Sequence, residues 1–297
     1  MRSTRLAPVT AAAAALTVTG VLGLGTAGAA SNFHTLNDAA DPTFNQLLGI
    51  NDNGVIAGYF GSGADANHPN KGYTLNPPYG QGNYVNENYP GSVQTQVTAI
   101  NNKGTTVGFY IDGHGHSFGF VDQHGQFTQV KGVTQLLGIN NKGNAVGFST
   151  DKHGATHAVR YNLASHQISK VKLSGNPAIS AATGINDSGD IAGLYIVNGN
   201  TDGFLVMHGV MKTFSYGDNS NTQVFGVNNS DVVVGFFANG GDDHGFVTNS
   251  KNGHTQQVDD PNQGPASTVV NGLNNKGQIV GFYTDAAGNT DGFLANK

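Results

Sequence analysis

The chain of 297 residues contains no cysteine and no tryptophan, and charged residues make up only 11% of it. Without cysteine the protein has neither disulfide bonds nor a thiolate nucleophile, so packing and chain topology must stabilise the fold. Lys and Arg together number 14, and the net charge at pH 7 is −5. Because this composition provides no basic surface for phosphates, we expect no nucleic-acid partner.

Long apolar stretches are also missing after the first thirty residues, so we expect no membrane span in the mature chain. Residues 1–30 resemble a secretory signal peptide. Arg2 and Arg5 precede a short apolar segment, and Ala27-Gly28-Ala29 supplies a small-x-small cleavage site. We therefore predict cleavage near Ala29 and Ala30 and a secreted protein; a retained membrane anchor is the alternative.

Glycine is abundant, at 44 residues, and much of it belongs to a recurring phrase. The phrase is Gly/Ala-Ile-Asn, two polar residues, Gly, three small or branched residues, Gly, and then an aromatic residue or Leu. Its third residue is Asn51, Asn101, Asn140, Asn186, Asn228 and Asn274 in turn. Neighbouring copies are separated by 39 residues (Asn101 to Asn140) to 50 residues (Asn51 to Asn101). A period of this length indicates one supersecondary unit per repeat.

The third repeat shows what this unit is. Strands are predicted over residues 135–139, 144–149, 157–161 and 167–173, and Asn140-Asn141-Lys142-Gly143 forms the first turn. Asn can bond its own backbone in such a turn, and Gly takes the positive φ that closes it. Four strands with three reversals make one antiparallel sheet. The sequence therefore predicts an all-β fold, a six-bladed β-propeller of four-stranded blades.

The two ends of the mature chain complement each other. The sixth repeat stops three residues after Leu294 and lacks a fourth strand, whereas residues 32–38 resemble the fourth strands elsewhere. We predict that this N-terminal strand pairs with the last blade and closes the ring, so that residues 31–297 form a single domain. An open solenoid is the alternative, but its sheet edges would be exposed.

Candidate ligand-binding residues lie in the loops between second and third strands, where binding residues collect on rigid scaffolds. They are Asp112, His114, His116, His153, His157, Asp242, Asp243 and His244. As a metal site, His114 and His116 could be completed by Asp242 or Asp243, but this spacing is diagnostic of no metal. We therefore predict neither a metal nor a cofactor. Acid–base catalysis would require these groups to converge at the axial mouth, and no nucleophile motif accompanies them.

Two further sets of residues are interpreted as structural. The recurring asparagines are predicted to cap turns rather than to form a ring of ligands. The aromatic residues of the second strands are predicted to fill the space between sheets; they are Tyr59, Phe60, Phe109, Tyr110, Phe148, Phe236, Phe237, Phe282 and Tyr283. The absence of Trp, the strongest stacking residue, weakens a lectin interpretation.

The repeated Gly-Ile-Asn-x-x-Gly phrase, followed by His/Asp-Gly/Ala-Phe, resembles the extracellular HAF repeat of exported bacterial proteins. The resemblance covers residues 47–294, although the His-Ala-Phe signature survives only loosely, as His157-Ala158-Val159 and His244-Gly245-Phe246. It implies export from a bacterial cell and a repeat architecture, and it implies no catalytic residue.

These observations predict a secreted, monomeric binding or interaction module that presents variable polar loops on one propeller face. Its extracellular ligand, whether a glycan, a small molecule or a protein, is not identified by the sequence. The alternative is an extracellular hydrolase or lyase that acts on a polysaccharide or small metabolite through His and Asp at the axial mouth. A third interpretation is a structural surface protein.

Overall fold

The computed structural model describes residues 31–197, 199–216, 221–264 and 267–296. The predicted signal peptide, residues 1–30, lies outside the described residues. Within the described chain, 24 strands form six four-stranded antiparallel sheets arranged as the blades of a propeller. A single 3-10 turn, Gln81–Asn83, is the one helical element in these ranges. None of the helical structure described has the length and hydropathy needed to cross a membrane.

Five blades are built from four consecutive strands each, ordered from the axis outward. Blade 1 contains β2 Asn45–Ile50, β3 Ile56–Phe60, β4 Lys71–Leu75 and β5 Tyr84–Asn86. Blade 2 contains β6 Gln94–Ile100, β7 Thr105–Ile111, β8 Ser117–Gln123 and β9 Gln126–Gln129. Blade 3 contains β10 Gln135–Ile139, β11 Asn144–Thr150, β12 Thr156–Asn162 and β13 Ile168–Lys170.

The remaining blades follow the same plan. Blade 4 contains β14 Ile179–Ile185, β15 Ile191–Val197, β16 Asn200–Met207 and β17 Val210–Phe214. Blade 5 contains β18 Thr222–Val227, β19 Val232–Asn239, β20 Asp242–Asn249 and β21 Thr255–Val258. Blade 6 contains β22 Thr268–Leu273, β23 Gln278–Thr284 and β24 Thr290–Asn296, and its outermost strand is β1 Ser31–Thr35.

The pairing of β1 with β24 confirms the predicted closure. His34 lies opposite Leu294 and Thr35 opposite Phe293 in an antiparallel ladder. The Phe33 ring also packs against the Phe293 ring, with centroids 5.3 Å apart. The N-terminal strand and the last blade are thereby held in one sheet, so opening the ring requires breaking this ladder.

The core lies between neighbouring sheets. Five of the six third strands carry a large aromatic side chain there that is almost completely buried, and blade 3 has Val159 at the equivalent position; the five are Tyr73, Phe120, Phe204, Phe246 and Phe293. Burying a side chain of this size contributes about 2 kcal/mol each. These third-strand side chains therefore fill the space between neighbouring sheets.

Glycine allows the innermost strands to meet around the axis. Each of these strands has a β-bulge at the same place, for example between Leu136 and Gly138 in blade 3. A Cβ atom at Gly138 would lie 2.8 Å from the carbonyl oxygen of Thr183 in blade 4. Backbone cannot move away from such a contact without separating the blades, so this position requires glycine or, as at Ala99 in blade 2, the smallest side chain.

Candidate functional site

A cavity of about 890 Å³ runs along the propeller axis, bounded by the innermost strands and part of the second strands. One end lies at the turns between first and second strands; we call this the turn face. The other end lies at the loops between second and third strands and between blades; we call this the loop face. Alternate connections of an antiparallel sheet emerge at opposite ends, so the two faces carry different residues.

At the turn face, the recurring asparagines do more than cap their turns. Asn140 Oδ1 accepts hydrogen bonds from the backbone N–H of Lys142 and Asn144, which confirms the capping prediction. Its Nδ2 also donates to the carbonyl oxygen of Asn186 in the next blade, at 2.8 Å. The same amide-to-carbonyl bond joins every neighbouring pair of blades, ending with Asn274 to Asn51. These six bonds form a closed circle.

The residue that follows each of these asparagines builds a second circle, which we call the amide ring. Its members are Asp52, Asn102, Asn141, Asp187, Asn229 and Asn275. In each, the backbone N–H donates to the side-chain Oδ1 of the member in the next blade, at 2.8 or 2.9 Å. The amide ring therefore links all six blades at the turn-face end of the cavity.

The order of the two residue types in the amide ring follows from donor and acceptor counting. Asp52 Oδ2 accepts from the side-chain amides of Asn102 and Asn275. Asp187 Oδ2 accepts in the same way from Asn141 and Asn229. Every asparagine in the ring thus donates a side-chain hydrogen bond to one neighbouring aspartate, and each carboxylate accepts hydrogen bonds from two asparagine amides.

The carboxylates of the amide ring are held ionised. Burial pushes the pKa of Asp52 up, but the hydrogen bonds from Asn102 and Asn275 outweigh burial and leave the pKa below its ordinary value. Burial and the amides of Asn141 and Asn229 act on the pKa of Asp187 in the same opposing way, with the same lowered result. These groups are hydrogen-bonded anions at ordinary pH.

Next to this ring the cavity is apolar. The branched residues that precede the capping asparagines form one layer, namely Ile50, Ile100, Ile139, Ile185, Val227 and Leu273. The glycine layer follows, where neighbouring backbones touch. Beyond it, Leu48, Leu137 and Phe225 project into the cavity from blades 1, 3 and 5. Blades 2, 4 and 6 carry Thr98, Thr183 and Asn271 at the same level, and each of these side chains donates a hydrogen bond to a backbone carbonyl of the next blade.

The part of the cavity nearest the loop face is lined by a more varied set of side chains, both polar and apolar, and we call it the chamber. Four blades contribute a glutamine and an aromatic residue paired across the first two strands: Gln46 with Tyr59, Gln96 with Phe109, Gln135 with Phe148, and Gln223 with Phe236. Blade 6 contributes Val269 with Phe282, and blade 4 contributes Ala181 with Leu194. All twelve side chains line the cavity.

The aromatic side chains in the chamber correct part of the sequence interpretation. Of each second-strand pair, only the second residue packs between sheets, as Tyr110 does when it stacks on Tyr89 with centroids 3.8 Å apart. The first residue, such as Phe109, faces the cavity. Successive side chains of a strand point to opposite faces, and this alternation was the signal available in the sequence.

One buried polar atom in the wall of the chamber has no hydrogen-bond partner among the described residues. Gln135 is only 6% exposed, its Oε1 has no hydrogen bond within the described residues, and its Nε2 has only a long contact of 3.5 Å to Ser117 Oγ. By contrast, Gln46 Oε1 accepts a hydrogen bond from the Tyr59 hydroxyl at 2.9 Å. A buried acceptor without a donor is unfavourable by about 1–3 kcal/mol. The Oε1 atom has almost no accessible surface, so it lies behind the lining of the chamber, whereas the side chains of Gln46 and Gln96 are partly exposed to the cavity.

Charge is scarce along the cavity. Among the described residues that line it, none is Lys, Arg or His, and the carboxylates are Asp52 and Asp187 in the amide ring and Asp243 at the loop-face rim. Burial, as the main cause, raises the pKa of the Asp243 carboxyl. The chamber itself thus presents aromatic, aliphatic and amide surfaces.

The predicted loop residues lie on the loop face, but each contacts its own blade. Asp112 Oδ1 accepts the backbone N–H groups of His114 and His116, and these histidine side chains are 85% and 69% exposed. The backbone hydrogen bonds, that of His116 foremost, keep the pKa of Asp112 low. Asp112 is therefore a turn cap.

The other candidates are arranged similarly. The backbone N–H of His153 donates to Asp151, and His157 Nε2 lies 3.1 Å from Asp151 Oδ2. His244 Nδ1 lies 3.1 Å from Asp259 Oδ2. Asp242 is exposed, and Asp243 alone of the eight predicted residues lines the cavity.

No hydrogen bond or ion pair among the described residues joins these candidates from one blade to another. No cluster of three or more His, Cys, Asp or Glu suited to a metal ion occurs in the described ranges either.

The fold is shared with several solved structures. A putative TolB from Agrobacterium tumefaciens matches 86% of this chain and 90% of its own at 9% identity, with a TM-score of 0.63. The Aleuria aurantia lectin AAL matches 85% and 91% at 10% identity, with a TM-score of 0.53. A gluconolactonase from Xanthomonas campestris matches 93% and 98% at 10% identity, with a TM-score of 0.51. At such identities the likeness shows the propeller architecture and no more. No protein-family model and no curated protein matches this sequence.

Proposed function

We propose that this protein is an exported, monomeric binding module that takes a small ligand into its axial chamber. The observation that carries the proposal is the chamber, which is lined by aromatic and amide side chains and belongs to an axial cavity whose total volume, about 890 Å³, lies within the usual range of ligand sites. Export rests on the signal-like residues 1–30, and membership of the HAF-repeat proteins on the repeated phrase.

Binding is favoured over catalysis by the chemistry along the cavity. General acid–base catalysis needs a titratable pair within reach of one bond. Among the described lining residues of the chamber, Asp243 is the single titratable carboxyl, and the loop-face histidines His157 and His244 are each paired with an aspartate of their own blade. The shared fold does not choose between the two activities, since the propellers named above include a lectin and a gluconolactonase.

The proposal is tested with a thermal-shift screen of metabolites and glycans on three proteins. The first is the wild type. The second is Leu48→Trp, which fills the cavity from a side chain that already projects into it. The third is a loop variant, Asp112→Asn with His114→Ala and His116→Ala. A ligand that binds the folded state raises its apparent stability.

We expect ligands that raise the melting temperature of the wild type and the loop variant but not of Leu48→Trp. Ligands lost only in the loop variant would contradict the proposal and place the site on the loop face. Turnover of a stabilising compound by the wild type would favour the hydrolase or lyase alternative.

A further inference from the structure

The distribution of side chains within the chamber restricts the chemistry of its guest, and the inference drawn from it rests on the proposed function. Blades 1, 2 and 3 are adjacent and contribute Gln46, Gln96 and Gln135 at one level. Blade 4 has Ala181 at that level, and its neighbouring lining residues are aliphatic: Ile179, Leu194 and Ile196. The chamber therefore has an amide wall and, beside it, an apolar wall.

Formal charge on the guest is disfavoured. An anion would enter a site whose described lining has no Lys, Arg or His, so it would lose its hydration without a counter-ion. A cation would find Asp243 at the rim only, and this carboxyl is itself partly desolvated, which raises its pKa. An uncharged guest avoids both costs.

Hydroxyl groups meet the need of the amide wall. The side chains of Gln46 and Gln96 are partly exposed to the cavity, and a glutamine amide both donates and accepts hydrogen bonds, as a hydroxyl does. A guest without hydroxyls would displace water from these amides and leave their hydrogen bonds unmade, whereas a hydroxyl replaces those bonds.

The apolar wall and the aromatic side chains require carbon surface on the same guest. Phe109 and Phe148 alternate with the glutamines around the amide wall, and Leu194 and Ala181 form the wall of blade 4. A ring compound with hydroxyls on its edge and an apolar substituent satisfies both walls at once.

We propose that the chamber binds an uncharged, hydroxylated ring compound with an apolar substituent, such as a neutral glycoside, whose hydroxyls face Gln46 and Gln96 and whose apolar part faces Ala181 and Leu194. Gln46 and Gln96 are specificity-determining residues in this arrangement. Ala181 marks the apolar side, because blades 1, 2, 3 and 5 carry glutamine at the equivalent position.

The test uses three probes of one shape in isothermal titration. Phenyl β-D-glucopyranoside is uncharged and hydroxylated. Phenyl β-D-glucuronide adds a carboxylate. 2-Phenoxytetrahydropyran keeps the two rings and lacks the hydroxyls. We expect the glucoside to bind at least about tenfold more tightly than either of the others. The loss of one buried hydrogen bond in 2-phenoxytetrahydropyran, or the desolvation of one charge in the glucuronide, is sufficient for that factor.

Two variants locate the effect. Gln96→Leu keeps the approximate volume and removes an amide that lines the chamber, so glucoside affinity should fall about tenfold while affinity for 2-phenoxytetrahydropyran stays within about twofold. Ala181→Gln places an amide in the apolar wall and should weaken both of these probes. Circular dichroism and melting temperature check that each variant is folded.

The outcomes separate the two proposals. Equal or tighter binding of the glucuronide or of 2-phenoxytetrahydropyran, with loss of that binding in Leu48→Trp, overturns the ligand class and leaves the chamber as the site. Absence of glucoside binding to the wild type overturns the ligand class as well. Glucoside binding that survives in Leu48→Trp and is lost in the loop variant overturns both.

Discussion

The contribution to stability of the hydrogen bonds that join neighbouring blades can be measured at Asn140. This residue is 4% exposed and has three side-chain hydrogen bonds. Asn140→Ala removes all three. At about 1 kcal/mol net for each bond, the free energy of unfolding should fall by about 3 kcal/mol. For a chain of this size that corresponds to a decrease of about 6–12 °C in melting temperature.

Asn140→Asp separates the two functions of this side chain. Aspartate keeps the oxygen that accepts from Lys142 and Asn144, but it loses the amide that donates to Asn186. The buried carboxylate would lie beside the Asn186 carbonyl oxygen, so its pKa should be raised in the folded state. Its protonated form can donate again; hence this variant should be closest to wild type at pH 4 and lose stability as the pH rises to 7.

Thermal melts of both variants at pH 4 and pH 7 provide the assay, with Asn67→Ala and Asn67→Asp as matched controls on an exposed loop residue. The controls should remain within about 0.5 kcal/mol of wild type. If Asn140→Ala lost no more stability than Asn67→Ala, the amide-to-carbonyl circle would contribute nothing. An Asn140→Asp protein as stable as wild type at pH 7 would refute the inter-blade bond specifically.

Three further perturbations test other parts of the structure. Asp52→Asn should lower the melting temperature at pH 7 although four ring members are already asparagine. The new side-chain amide would face the amides of Asn102 and Asn275, which now donate hydrogen bonds to Asp52, and donors cannot pair with donors. An unchanged melting temperature would contradict the donor and acceptor count of the amide ring. Burial, together with the nearby Asp122 carboxylate, raises the pKa of Glu87 to about 7. A raised carboxyl pKa means that the contribution of Glu87 to stability is fully present below its ordinary pKa and is lost as the pH rises through about 7. Glu87→Gln should therefore flatten the decline in denaturant midpoint between pH 5 and pH 8; an equal slope in both proteins would exclude Glu87 as its source. Deleting residues 31–36 should lower the melting temperature far more than deleting the exposed loop residues 64–67, since only the first deletion opens the ring; equal values would show that closure is not stabilising.

The fold could be predicted from the sequence because its signals are local and repeated. Asn-x-x-Gly fixes each first turn, and in the structure Gly143 has φ +73° while its N–H donates to the Asn140 carbonyl oxygen. The missing fourth strand of blade 6 could be matched to residues 32–38 by pattern alone. Its ladder is shorter than that match, Ser31–Thr35, because pairing ends where the chain turns toward blade 1.

The candidate site was harder to predict because it depends on which residues of different repeats meet. Asp112 and His157 have the residue types of a catalytic or metal site, yet their partners lie within their own blades. Residues of the chamber look like ordinary strand residues, and only the axial position of the first strand reveals that Gln96 faces an enclosed cavity. The amide ring left a trace in the sequence, because Asp or Asn follows each capping asparagine with one Asp to every two Asn.

The central claim is that the axial chamber, and not the His/Asp loops of the loop face, is where this protein holds its ligand. Electron density for the guest in crystals grown with phenyl β-D-glucopyranoside tests it directly. We expect a guest within the chamber, with a hydroxyl in hydrogen-bonding distance of the side-chain amide of Gln46 or Gln96. Density between Asp112, His116 and His157 on the loop face, with an empty chamber, would contradict it.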